Sequence, residues 1–196
     1  MFNNIDKDLI DKYEGILLWQ QDHMGSRPAI NKLTGKKDIV GVEIGIFFGI
    51  NAYHILKTFD IKLLYLVDPF TDETTETAMP EKKLKGKNAE NIARSLLEKY
   101  NEKIQIITKF SWDAVNEIPN NLDFVYIDGD HGEKTVTKDL KLYYPKVKKG
   151  GIFGGHDYVA DRYPDLMVKS SVDKFFKDKL EEVKTGGARD WWIIKE

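Results

Sequence analysis

With 196 residues, 41% of them apolar and 32% charged, the chain can bury a full core and is too apolar to stay wholly disordered. Thirty basic residues against 32 acidic ones give a net charge of -2, which argues against a nucleic-acid partner, and the lack of cysteine excludes disulfides, thiolate metal sites and a cysteine nucleophile. No run reaches the roughly 18 apolar residues of a membrane span and the N-terminus lacks a secretory pattern, so a cytoplasmic protein without a membrane partner is expected.

Residues 1–37 read as a helical extension built on Leu9, Ile10, Tyr13, Ile16, Leu17 and Leu18, followed by a polar loop. Such an apolar helix could make a homo-oligomer or cover a site. From residue 38 to 196, apolar runs of strand length alternate with segments of helical period, the pattern of βαβ units and a parallel sheet. Strands are expected over 39–44, 62–67, 104–108, 124–127 and 151–154, with helices over 51–59, 88–100, 111–118 and 133–144. Residues 71–87, rich in Thr, Glu and Lys, read as a long surface loop or lid. Ser111 and Asp130 have the chemistry of N-caps, Asp130 with Glu133 three residues on as a capping-box partner. The tail reads as a helix over 172–176 and two strands, 181–185 and 191–194, joined at Gly186-Gly187 and therefore antiparallel. Trp191 and Trp192 should face opposite sides of that sheet.

Two apolar runs end in acidic residues with a histidine close by. Phe124-Val125-Tyr126-Ile127 leads into Asp128-Gly129-Asp130-His131, and Gly151-Ile152-Phe153-Gly154-Gly155 into His156-Asp157. Ligands of open α/β sheets bind beyond the carboxyl ends of the strands, so these polar residues are candidates for chemistry. The first strand runs through Glu43 into Gly45-Ile46-Phe47-Phe48-Gly49 and a helix. Phe47 stands where a dinucleotide fingerprint needs its second glycine, and Glu43 puts a carboxylate beside the turn, which suits a cationic ligand better than a polyphosphate. Asp68, about 20 residues past the turn, stands where an acid can take two ribose hydroxyls.

With these residues the chain resembles the class I S-adenosylmethionine-dependent methyltransferases. The likeness rests on Glu43-Ile44-Gly45-x-x-x-Gly49, Asp68, Phe110-Ser111-Trp112, Asp128-Gly129-Asp130-His131 and the stretch from Gly150 to Tyr158, and it is strongest to the small macrocin and cephalosporin-biosynthesis O-methyltransferases. It implies a Rossmann-like three-layer α/β/α sandwich with a mostly parallel seven-stranded sheet and an antiparallel C-terminal strand. It also implies that Glu43, Gly45, Gly49, Asp68, Ser111, Trp112 and Asp128 surround S-adenosylmethionine. Asp128 and Asp157 would hold a divalent metal, although His156 stands where Mg²⁺ would be given a hard oxygen ligand. His131 would be the general base, with Asp128 and Asp157 orienting the acceptor. The expected reaction is O-methylation of a small molecule or sugar hydroxyl, and Trp19, Arg27, Tyr158, Arg162 and Tyr163 lie in loops that would suit a sugar. Two other readings stay open. An NAD-dependent dehydrogenase or epimerase is disfavoured by Phe47 and by the lack of a Tyr-x-x-x-Lys pair, and a non-catalytic ligand-binding module could retain the same fold.

Overall fold

The structure, a computed structural model, describes residues 27–73, 86–159, 166–187 and 189–196. In chain order the elements are α1 (Pro28–Asn31), β1 (Ile39–Ile44), α2 (Ile50–Thr58), β2 (Ile61–Val67), α3 (Gly86–Leu97), β3 (Ile104–Ile107), α4 (Ser111–Ala114), β4 (Leu122–Ile127), α5 (Glu133–Tyr143), β5 (Val147–Gly155), α6 (Val168–Phe175), β6 (Lys184–Gly186) and β7 (Asp190–Ile194). Continuous apolar runs make strands that are buried on both faces, and β4 is buried along its whole length. The seven strands lie in the order β3-β2-β1-β4-β5-β7-β6, with β1 to β5 parallel and β7 antiparallel to both neighbours. This is the expected Rossmann-like α/β/α sandwich. Among the described residues no helix is long and apolar enough to cross a membrane.

Side-chain alternation divides the core into two layers. Phe124, Tyr126 and Trp192 pack with α1, α2 and α3 on one face, and Val125, Ile127 and Trp191 pack with α4, α5 and α6 on the other. The adjacent tryptophans therefore do face opposite sides. The strand order reverses between β1 and β4, which opens a crevice at their carboxyl ends, the usual ligand position in such sheets.

Main-chain bonds tie together the strand ends at the base of that crevice. The Gly45 N–H donates to the Val67 carbonyl at 2.8 Å and the Asp128 N–H to the Ile44 carbonyl at 2.8 Å. Gly45 has φ of +82°, and a Cβ there would stand 2.2 Å from the Asp128 carbonyl oxygen.

Several expected boundaries move, for local reasons. The helices expected over 88–100, 111–118 and 133–144 each tighten into 3₁₀ turns, at Glu98–Lys103, Val115–Glu117 and Tyr144–Lys146. The last helix begins at Val168, and the strand expected over 181–185 forms only at Lys184–Gly186 because Lys177–Glu182 winds as a 3₁₀ turn. Neither expected cap forms. Phe110 and Gly132 occupy the N-cap positions, since the Ser111 hydroxyl is drawn to the buried Asp139 and the Asp130 carboxylate accepts the Gly132 N–H in a turn of its own. The polar loop expected before residue 38 contains α1, with Pro28 in its first turn and Ala29, Ile30 and Leu33 buried against the sheet. The apolar stretch from Leu9 to Leu18, Trp19, most of the 71–87 loop, Arg162 and Tyr163 lie outside the described residues.

Gly45→Ala should cost more than about 2 kcal/mol of unfolding free energy, because left-handed strain adds to a main-chain clash. Gly35→Ala is the control, at φ of +81° with nothing within 4 Å of the new Cβ, and should show the smaller strain cost of about 1 kcal/mol. Urea unfolding of the two variants checks the difference.

Candidate active site

The turn after β1 is held by Asp68. Its Oδ2 accepts the Phe47 N–H at 2.9 Å and its Oδ1 the Phe70 N–H at 2.8 Å. Both phenylalanines have left-handed backbones, with φ of +50° and +46°, a conformation that bulky residues rarely adopt. The carboxylate at the end of β2 thus organises the two loops that flank the crevice, with the Ile46 main chain as a further hydrogen-bond partner. Burial raises its pKa against the lowering effect of those N–H groups.

Glu43 points from β1 into the same region. The Asn51 amide on α2 donates to its Oε1 at 3.0 Å, while its Oε2 is buried without a partner among the described residues. Burial pushes its pKa up to about 8, and the nearby Asp128 adds to the rise that Asn51 opposes. A buried carboxylate with one open oxygen beside a glycine turn fits a cationic amino group, as S-adenosylmethionine carries. Gly49 closes the same turn. It caps α2 in a left-handed conformation, and a Cβ there would stand 3.1 Å from Leu97 on α3.

The acids that end β4 and follow β5 meet across the crevice. His131 Nε2 lies 2.8 Å from Asp157 Oδ2, and His156 Nδ1 lies 3.3 Å from the same oxygen and 3.7 Å from Asp128 Oδ1. Two guanidinium groups complete the cluster. Arg27 Nη2 is 3.1 Å from Asp128 Oδ2, and Arg189 Nη1 is 3.1 Å from Asp157 Oδ1. Burial works against ionisation of Asp157, but the contacts with His131 and His156 outweigh it and hold its pKa well below the carboxylate range. Burial likewise opposes the charge on His131, and Asp157, Asp128 and Asp130 together raise its pKa above the ordinary value. Asp157 itself has φ of +59°, a left-handed turn that an aspartate tolerates and that swings its carboxylate back toward His131.

Asp128, His131 and Asp157 each offer one ligand atom within 4.8 Å of the others. One imidazole nitrogen and two carboxylate oxygens suit Mn²⁺, Fe²⁺ or Zn²⁺ better than Mg²⁺. The donor set therefore fits a divalent ion, with His131 a candidate ligand as well as a candidate base.

Ser111 and Trp112 open α4, just beyond β3. The Ser111 hydroxyl donates to Asp139 and the Tyr143 hydroxyl to the Ser111 carbonyl at 2.7 Å, so Ser111 ties α4 to α5. Trp112 stacks on the exposed Phe110 at 4.7 Å and 5°, with the Lys138 ammonium 4.3 Å from its ring centre. Sequence reasoning thus brought Glu43, Gly45 and Asp68 to one turn and Asp128, His131 and Asp157 to one cluster. It missed Arg189, Asp190 and the pairing of Arg27 with Asp128, which no local pattern signals.

A family model described as a methyltransferase domain matches residues 42–158, three-fifths of the chain, including Glu43, Asp68, Asp128, His131 and Asp157. The chain belongs to the methyltransferase domain family. A mimivirus relative, the uncharacterized protein R132 of Acanthamoeba polyphaga mimivirus, is 32% identical over 148 residues, which is 73% of this chain; the chain spans 62% of that protein's length. Among solved structures, the O-methyltransferase NovP superposes with a TM-score of 0.64 at 18% identity, over 86% of this chain and 77% of its own. The Bacillus cereus O-methyltransferase in complex with S-adenosylhomocysteine gives 0.55 at 16% identity, over 78% and 71%. The Geobacter metallireducens precorrin-6y C5,15-methyltransferase gives 0.60 at 14%, over 86% and 85%. These structural likenesses establish a shared fold, and the match to the methyltransferase domain assigns the class.

Burial of Glu43 has a measurable sign. Its folded pKa of about 8 lies above the ordinary 4.5, so the folded state holds a proton that the unfolded chain releases. Its contribution is intact at low pH and is lost as pH rises toward 8, at up to about 1.4 kcal/mol per pH unit. Glu43→Gln should gain stability relative to the parent chain between pH 5 and pH 8. Denaturant unfolding at both pH values measures it, and parallel pH profiles would show that Glu43 ionises without penalty.

Proposed function

We propose that this methyltransferase domain moves the methyl group of S-adenosylmethionine to an acceptor oxygen on a small molecule or sugar, in the manner of the macrocin-type O-methyltransferases. The observation that carries this reading is the 2.8 Å contact between His131 and Asp157 beside Asp128, at the mouth of the crevice that Glu43 and Asp68 border. S-adenosylmethionine supplies an electrophilic methyl on its sulfonium. Glu43 and Asp68 bind the cofactor at its amino and ribose ends, with Trp112 and Ser111 at the edge of the base. Asp128 orients the acceptor at attack distance, and such positioning supplies about 7–11 kcal/mol of the barrier reduction. His131 takes the hydroxyl proton from its neutral form, whose share grows with pH because its pKa is raised. Asp157 holds the imidazole in place and stabilises the cation that forms, which adds a factor of about 10²–10⁴. Two O-methyltransferases among the superposed folds support the oxygen acceptor as an analogy.

The same geometry favours a second reading for His131. If a divalent ion sits on Asp128, His131 and Asp157, it would lower the pKa of an acceptor hydroxyl and His131 would be a ligand. The two readings separate by experiment. Calorimetry with S-adenosylhomocysteine should show micromolar binding and calorimetry with NAD none; the reverse result would move the chain to the dehydrogenase reading. His131→Ala should then lower methyl transfer from labelled S-adenosylmethionine to a panel of phenols and sugars by at least about 100-fold. Retained S-adenosylhomocysteine and Mn²⁺ affinity in that variant marks a base, and lost Mn²⁺ affinity marks a ligand. Full turnover would remove His131 from the chemistry.

A further inference from the structure

Arg27 reaches the site from outside the βαβ core. Its Nη1 donates to the Tyr126 hydroxyl at 2.8 Å and stands 3.8 Å from Asp190 Oδ1, while its Nη2 donates to Asp128. The guanidinium lies 5.6 Å from the Tyr126 ring centre, and its side chain is 11% exposed against 20% for Asp128. Beneath it, the fully buried Asp190 accepts the Tyr126 hydroxyl at 2.8 Å and the Ala29 N–H at 3.0 Å. Asp190 therefore locks the main chain on the C-terminal side of Arg27, and Tyr126 sets the direction in which the fork points. The chain has built a directed cation rather than a loose surface arginine.

One of the two carboxylates in the cluster that could take a metal is thus already paired. A dication binding Asp128 must share that carboxylate with a guanidinium or displace it, and it meets a like charge a few ångströms away that is only partly screened. Arg189 stands in the same relation to Asp157, but its side chain is three times more exposed and so better screened by water.

We propose that Arg27 is a positioning residue that acts as a resident cation, holding Asp128 in place and keeping the affinity of the Asp128–His131–Asp157 cluster for divalent ions low. This rests on the metal-capable site described above. The crevice is then charge-compensated without an added ion. Metal occupancy becomes coupled to the docking of the chain at residue 27, because whatever draws α1 away from Asp190 also frees Asp128.

The test titrates Mn²⁺ alone into the full chain, with free Mn²⁺ followed by its paramagnetic resonance, for the parent, Arg27→Gln and Arg27→Lys. Outer contacts to metal ligands change affinity by about 10–100-fold, so the glutamine variant should bind Mn²⁺ at least about tenfold more tightly, while the lysine variant, which keeps the charge, stays within about threefold of the parent. A purely structural arginine would move both variants alike. Equal or weaker binding in the glutamine variant, or no Mn²⁺ binding by any of the three, overturns the proposal. Thermal unfolding followed by circular dichroism reports whether each variant folds. If Arg27→Gln does not, the Arg27 Nε–H resonance of the parent decides: a shift on saturation with Zn²⁺ supports displacement from Asp128, and an unmoved resonance overturns it. S-adenosylhomocysteine calorimetry on the same samples keeps the two ideas apart. Lost cofactor binding by the parent sinks the methyltransferase reading, and unchanged Mn²⁺ affinity on loss of the charge sinks the role of Arg27.

Discussion

The contact between the end of β1 and the end of β4 is the constraint on which the rest of the site depends. Gly45 and Asp128 are brought so close that a single added carbon would strike the Asp128 carbonyl; the Asp128 N–H bond to Ile44 ties the end of β4 to β1, and the Gly45 N–H bond to Val67 ties the end of β1 to β2. Because the strand order reverses at this point, the turns leaving β1 and β4 run to opposite faces of the sheet and leave a crevice between them. Glu43 from one strand and Asp128 from the other enter it within a few residues of this contact. A bulkier residue at position 45 would push the two strand ends apart, and with them the acids they carry.

On that base the crevice is built from carboxylates whose solvation is replaced in different ways. Asp68 trades water for main-chain N–H groups and in doing so holds two phenylalanines in left-handed turns. Asp157 trades it for two imidazoles and a guanidinium, and Asp128 for Arg27 and a more distant His156. Of these four acids, Glu43 is the one with a buried oxygen that has no partner among the described residues. A buried polar atom with no protein partner is costly, and it is the feature that most directly asks for a ligand. The gradation runs from satisfied acids that shape the crevice to one acid with a buried oxygen that has no partner among the described residues.

The terminal elements complete what the central strands begin. Arg27 precedes α1, and Arg189 and Asp190 belong to the hairpin of β6 and β7, yet they supply the cations on both site acids and the anchor beneath them. A βαβ core ending at β5 would leave Asp128 and Asp157 with histidines alone. The C-terminal hairpin therefore does more than extend the sheet, since Arg189 just before β7 pairs with Asp157 and Asp190 at its start accepts the Tyr126 hydroxyl. The methyltransferase domain match covers residues 42–158, so Arg27, Arg189 and Asp190 lie outside it.

By itself the sequence determined the parallel sheet, the sorting of Trp191 and Trp192 to opposite faces, the glycine turn and the acids at the strand ends. Each is a local property: a strand announces itself by a run of apolar residues, a face by alternation, and a turn by glycine, all within a few residues. Helix ends and caps were less legible, because the Ser111 hydroxyl had a buried partner 28 residues away that outcompeted the local N–H groups. Only the tertiary structure decided that Arg27 would sit on Asp128, 101 residues distant, that Asp190 would brace Tyr126, and that His131 would face Asp157. Ion pairs between side chains so far apart along the chain leave no periodicity to read. They exist because the reversal of strand order and the returning hairpin carry distant charges into one poorly solvated crevice, where each must find a counter-charge or remain at a cost.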